Sequence, residues 1–494
     1  MSAEEPNLAK TDKDGKLEMP PPPVTTHHTR KIGGAALSWD ADFGFLPLQS
    51  QSSDVEATLS FTYYRLTESS ADGKPRPLTF LFNGGPGSAS IWLHMGGLGP
   101  RRVRLADDGA MPPPPFEVID NDFTWLTFSD LVFIDPVDTG YSKAANDELR
   151  KKFLSTEGDL DQTGEFIRRF LSRYNRWSSP LFIAGESYGT FRSAGLAGKL
   201  AEKGIIFNGV ILISSVLELG TLLFESGDDM PFVVYVPTYA AIARHHGVLD
   251  AGKMAMPIDE FLQSVREWAA SVFAPALAQG ALLSQDQRSR IAGDLSAWIG
   301  IDQDLIERWD LRVSGERFCN ELLKREGRTV GRLDARFTGF DPTKQTDDSE
   351  FDPSMSAIRA PFTAAFNSYV RSELGHTSDD DYHVLRNLDW DWGDARAGAP
   401  RTNTLLEEAF SRNPYLHVQV LSGYYDLATP FFATEYTLNR LRIDPALRQQ
   451  IETVEYAGGH MMYIARDILE QLHQDVDAFV QRALAVKQHP LRPR

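Results

Sequence analysis

The sequence predicts an α/β fold built on a mostly parallel central sheet with helices on both faces. Three observations carry that prediction. Short, continuous apolar runs recur along the chain: LTFLF (78–82), LVFI (131–134), LFIA (181–184), VILI (210–213) and VQVL (418–421). A strand covered on both faces reads as such a run and not as an alternation. Between and after the runs lie stretches of helical period. Leu160, Ile167, Phe170, Leu171 and Tyr174 share one face, as do Ile464, Ile468, Leu472, Val476, Phe479 and Val480. The alternation of the two kinds of segment is that of a parallel sheet wrapped by its own crossover helices.

Taken in chain order, residues 1–34 are rich in Pro, Lys and Asp and are expected to be a disordered or loosely attached leader. From about 36 to 67, runs such as ATLSFTYYRL read as an antiparallel start. The first part of the α/β core is expected over 35–217 and the second over 403–494. Between them, 218–402 breaks the alternation with helix-like stretches (EFLQSVREWAASVFAPALAQGALL among them), plus Trp298, Trp309, Trp390 and Trp392, and the acidic clusters DDSEFD (347–352) and DDD (379–381). A helical insertion where loops leave a sheet forms a cap. The PPPP run at 112–115 reads as a stiff loop.

Composition narrows the function classes. The 494 residues, 42% of them hydrophobic, are ample for a large core. Lysine and arginine number 50 against 68 aspartates and glutamates, a formal charge of -18. That excess repels phosphate surfaces, so neither nucleic acid nor membrane is an expected partner. No run of about 18 apolar residues suits a membrane span. The first thirty residues lack the apolar core of a secretory signal, so a cytoplasmic setting is expected as written, periplasmic or secreted if a signal was removed. The single cysteine, Cys319, forbids an intrachain disulfide; it fits a reducing compartment and also permits a bacterial periplasm. No H-E-x-x-H occurs and the acidic clusters match no EF-hand loop, so no metal and no cofactor is expected. Oligomeric state leaves no mark in the sequence.

The chemistry gathers at FIAGESYGT (182–190). G-x-S-x-G between a buried strand and a helix is the nucleophile-elbow pattern, with glycines where bulkier neighbours would collide. The bland alternative is that Ser187 caps the following helix, expected over about 189–203. A serine hydroxyl needs a base and an orienting acid. In this arrangement they follow in the order acid, then histidine, at the ends of later strands. VQVLSGYYDLATP supplies Asp426 and VEYAGGHMMYIA supplies His460. Their bland readings are a turn residue and a helix-start residue. His94 precedes the serine; His27, His28, His245, His246, His473 and His489 lie in the leader, the insertion or near the end. LTFLFNGGPGSAS places a glycine loop after an earlier strand, where the Gly85 N–H can donate to an oxyanion together with that of Tyr188.

FNGGPGSAS, GESYGT, SGYYDLATP and GGHMMY, in this order, resemble the serine carboxypeptidase family, here in a bacterial-type form. NDFTWLTFSDLVFIDPVDTGYS (121–142) and YVPTYAAIARHHG (235–247) are similar to further segments of it. The likeness covers roughly 75–480. It implies an α/β-hydrolase fold with a helical cap, Ser187, Asp426 and His460 as the triad, and Gly85 and Tyr188 as the oxyanion hole. It also implies that Asn83 and Glu186 bind the free C-terminal carboxylate of a peptide, with Gly84 and Met461 as further substrate contacts. A carboxylate meets a glutamate only across a shared proton, hence an acid preference. The chain departs from the family at Leu81 (usually tryptophan), Gly97 (usually glutamate), Ser88 and Thr429 (both usually cysteine). Ser88 and Thr429 are expected only to remove a disulfide and a thiol, and Gly97 to weaken the dependence on acid pH.

These readings imply a hydrolase that releases C-terminal residues from peptides through an acyl-enzyme on Ser187. The same residues would serve an esterase or acyltransferase on small-molecule esters. A non-catalytic binding protein keeping the fold is a third reading, against which the full triad argues. DWDWG (389–393) is expected to pack the cap on the main body or to line the substrate pocket.

Overall fold

A computed structural model describes residues 17–68, 73–340, 351–394, 396, 398–485 and 490–491. Residues 1–16 of the leader and 347–350 of the DDSEFD cluster lie outside the described residues. A ten-stranded sheet forms the centre. Its main strands are β1 (Val24–Ile32), β2 (Ala35–Gln49), β3 (Val55–Leu66), β4 (Leu78–Phe82), β5 (Asp130–Ile134), β6 (Leu181–Ser187), β7 (Gly209–Ser215), β8 (His417–Gly423) and β9 (Ile451–Tyr456). Their spatial order is β1-β2-β3-β5-β4-β6-β7-β8-β9. β1, β2, β3 and β5 pair antiparallel in succession, and every pairing from β5 to β9 is parallel.

The five apolar runs are β4 to β8. Side chains along them alternate between two cores, as a pleated strand requires. Phe80, Phe82, Val132, Ile183, Val210 and Leu212 face one, packed against α1 (Thr156–Arg173), α2 (Tyr188–Glu202) and α4 (Asn403–Arg412). Leu81, Phe133, Phe182, Ile211 and Leu421 face the other, packed against α3 (Pro353–Ser372) and α5 (Arg466–Ala485). No described helix is long and apolar enough to cross a membrane.

Two expectations need correction. The leader expected over 1–34 contains β1, which pairs with β2 from Val24↔Phe43 to Ile32↔Ala35. Its polar sequence, VTTHHTRKI, gives no apolar signal because an edge strand is held through its backbone and faces solvent. The segment 218–402 does not pack as one helical unit. Helices Val236–His245, Ile258–Trp268 and Gln285–Ile299 bury a cluster of their own around Phe261, Val265 and Leu295, whereas α3 inserts Phe362, Phe366 and Tyr369 into the core of the sheet. The α3 face is apolar enough to serve the main body, and the composition of the segment as a whole conceals this.

Candidate active site

β6 ends in Ser187 and α2 begins at once. Ser187 has φ 58° and ψ −129°, a left-handed conformation that side chains rarely adopt. The turn is so sharp that a Cβ on Gly185 would lie 2.0 Å from the Gly189 carbonyl oxygen. The glycine loop rests directly on it: a Cβ on Gly84 would lie 2.4 Å from the Tyr188 nitrogen. The Ser187 side chain makes no capping hydrogen bond, so the helix-cap alternative falls. Its hydroxyl is left facing a cavity of about 590 Å3 at the C-terminal end of the parallel strands, where ligands of open α/β sheets bind.

Asp426 follows β8 in a tight turn and is fully buried. Its Oδ1 accepts from the Ala428 and Thr429 amides (2.8 and 3.0 Å) and its Oδ2 from the Thr429 hydroxyl (2.7 Å). The same Oδ2 lies 2.7 Å from His460 Nδ1. With a carboxylate as acceptor, Nδ1 carries the proton and Nε2 is left as the basic nitrogen. His460 is fixed by its backbone, its amide donating to the Leu333 carbonyl (2.6 Å) and its carbonyl accepting from the Ser214 hydroxyl (2.7 Å). Burial pulls the imidazole pKa down, but the charge and hydrogen bond of Asp426, with the charge of Glu186, outweigh it and raise the pKa above its ordinary value. Ser187 and His460 line the same cavity, and no hydrogen bond joins their side chains in this structure.

The competing histidines are elsewhere. His94 is buried, bonded through Nε2 to the Tyr64 hydroxyl (2.6 Å) and stacked on Phe133, and burial lowers its pKa to about 3. His246 bonds the Ala335 carbonyl, and His27 and His28 lie on β1.

Asn83 and Glu186 stand at the base of the cavity. Glu186 Oε2 accepts from Asn83 Nδ2 (2.8 Å) and from the Tyr463 hydroxyl. Its Oε1 is 3.8 Å from His460 Nε2. Burial pushes the Glu186 carboxyl up to about 7, against the opposing pull of His460, Tyr463 and Asn83. Tyr463, in the segment GGHMMY, lies against Gly96 and Gly97. A Cβ on Gly97 would lie 2.5 Å from Leu469 Cδ1, and one on Gly96 would lie 2.4 Å from the Tyr463 ring. A glutamate at 97 would have to displace the Leu469 side chain, and Tyr463 supplies the second partner of Glu186 from the other side.

Two substitutions do more than the sequence suggested. The Thr429 hydroxyl bonds Asp426 and lies 3.2 Å from His460 Nδ1, so it is part of the charge arrangement. Ser88 accepts from the Trp92 indole (2.8 Å) at the cavity wall. Leu81 is buried in the core and does not line the cavity. Gly84, Gly85 and Met461 line the cavity with Asn83 and Glu186. Tyr188, its amide at the first turn of α2, turns its ring away onto Trp390 and Trp392, neither of which lines the cavity.

Arg192, which sequence reasoning missed, ties the elbow helix to the glycine loop. It is 1% exposed, bonds Asp159 (2.8 Å) and the Asn83 carbonyl (2.8 Å), and lies over the rings of Phe82 and Tyr188. Replacing it with leucine leaves Asp159 buried and unpaired. The expected loss is about 3–5 kcal/mol of unfolding free energy, read from urea titration. A loss under about 1 kcal/mol contradicts this account of the pair.

Residues 44–203 match the family model described as Serine carboxypeptidase. That span includes the glycine loop and Ser187 and ends before Asp426 and His460. Pheromone-processing carboxypeptidase KEX1 of Saccharomyces cerevisiae is 30% identical over 155 residues, 29% of this chain and 20% of that protein. The matched part thus spans a fifth of that relative's length. Serine carboxypeptidase-like 11 of Arabidopsis thaliana is 25% identical over 211 residues, 42% of this chain and 43% of its own. These relatives are from yeast and a plant and do not support the bacterial-type form expected above. Among solved structures, a prohormone-processing carboxypeptidase from Saccharomyces cerevisiae superposes with a TM-score of 0.53 at 16% identity, covering 90% of this chain and 91% of that one. The chain has the α/β-hydrolase fold.

Proposed function

We propose that the protein is a serine carboxypeptidase-type hydrolase, releasing C-terminal residues from peptides through an acyl-enzyme on Ser187. His460 Nε2 takes the Ser187 proton as Oγ attacks the scissile carbonyl. Asp426 holds the imidazole in that tautomer and stabilises its cation. The Gly85 and Tyr188 amides donate to the oxyanion. The imidazolium returns the proton to the departing amine, and water then releases the acyl group by the same path in reverse.

One observation favours a peptide with a free C-terminus over a neutral ester: the buried Glu186 carboxyl beside the nucleophile, its pKa raised to about 7. Held through Oε2 by Asn83 and Tyr463, it has Oε1 left to share a proton with a substrate carboxylate. An ester has no use for that proton. The test compares a peptide acid with its C-terminal amide. Strong preference for the acid is expected; indifference, with small esters turned over faster, favours the esterase.

The pH dependence follows with its sign. Glu186 is protonated below about 7, so the KM for a peptide acid rises as pH climbs through that value. Proton transfer from serine needs neutral His460, so kcat falls as pH drops through its raised pKa. Tyr463→Phe removes a donor that favours the Glu186 carboxylate. The rise in KM is expected to move to higher pH, with the kcat limb moving far less. An unmoved KM limb contradicts the role given to Tyr463.

A further inference from the structure

We propose that Arg332, Arg359 and Arg386 form an anion-binding rim over the catalytic cavity that selects peptides with an acidic side chain beside the scissile bond. The inference rests on the peptidase reading above and names its substrate class. All three line the cavity that holds Ser187 and His460. They come from separate segments: Arg359 from α3, Arg332 from the loop whose Leu333 carbonyl receives the His460 amide, and Arg386 from a strand-like stretch whose amide donates to Gly87 of the glycine loop (3.0 Å). Two of the three are thus tied through the backbone to the catalytic segments.

In a chain with an excess of 18 negative charges, three guanidinium groups at one cavity are unusual, and their pairing is incomplete. Among the described residues, no carboxylate lies within ion-pair distance of the Arg332 or Arg359 head groups, and both side chains are exposed. Asp352, the nearest acid in sequence to Arg359's helix start, is taken up by the amides of Ser354 and Met355 and by the Arg332 amide. Arg386 lies 3.7 Å from Asp138, which it shares with Arg150. Among the described residues, the one carboxyl on the cavity wall is Glu186, at the base. A carboxylate entering the rim therefore meets cations with donors unspent, and planar guanidinium forks suit it. The terminal carboxylate is assigned to Glu186 and Asn83 deep in the site, which leaves the rim for a side chain.

The test uses blocked dipeptide acids that differ only as Glu or Gln, varied in turn on either side of the scissile bond. At one of the two positions kcat/KM is expected to favour Glu by about tenfold at low salt, shrinking as salt rises. In the variants Arg332→Gln and Arg359→Gln the ratio of Glu to Gln, taken within each variant, is expected to fall, and in the double variant to approach unity. No Glu preference at either position, or a preference untouched in the double variant, overturns the proposal. A parallel assay needs no turnover: N-acetylglutamate is expected to protect Ser187 from a fluorophosphonate better than N-acetylglutamine. If no peptide is cleaved, the peptidase reading fails on its own, and equal protection by the two amides overturns the rim as well.

Discussion

Ser187→Ala is expected to lose activity on the order of a millionfold while the protein stays folded. On the proposed mechanism the hydroxyl is the atom that becomes covalently bound, and neither His460 nor the Gly85 and Tyr188 amides could replace it. Stability is expected to change little, because the hydroxyl caps nothing and faces a cavity. Ser187→Gly separates strain from chemistry. A non-glycine residue at φ 58° costs roughly 1–3 kcal/mol, of which glycine's freer unfolded chain takes back about 0.5–1. The glycine variant is expected to be as inactive as the alanine variant and more stable than the parent by about 1 kcal/mol. Equal stability of the two variants in a urea titration contradicts the claim that the elbow is strained.

Asp426→Asn is expected to lower kcat by about 10000-fold. The Asp426 oxygens accept from two amides, a threonine hydroxyl and His460 Nδ1, and donate to nothing. An asparagine oxygen can keep the two amides. Its NH2 group then faces Nδ1, which must become the acceptor and send the imidazole proton to Nε2. That tautomer cannot take a proton from serine. The substitution also removes the charge that raises the His460 pKa, so the residual activity is expected to persist to lower pH. A loss of less than about tenfold, or an unmoved acid limb, means that Asp426 does not orient the base.

How much of this was legible in the sequence varies with the range of the interaction. The parallel strands and the elbow are written locally, in apolar runs and in glycines that a sharp turn demands. The placing of Asp426 and His460 needed only the order of strand ends. The groups that tune the site were not readable. Tyr463 reaches Glu186 across 277 positions, and Arg192 reaches the Asn83 carbonyl across 109. Such pairs carry no local pattern, since a buried tyrosine or arginine is specified by what the fold brings to it. Gly97 read as a missing acid because its neighbours Leu469 and Tyr463 lie far along the chain. β1 escaped notice because its polar residues are those of an exposed edge.

Whether Ser187 is the nucleophile and His460 its base is tested most directly by mapping the adduct of a fluorophosphonate probe on the folded protein. A single adduct on Ser187 is expected, with a labelling rate that rises with pH through the raised pKa of His460 and collapses in His460→Ala. Labelling on another residue, or none on protein shown to be folded, contradicts the account.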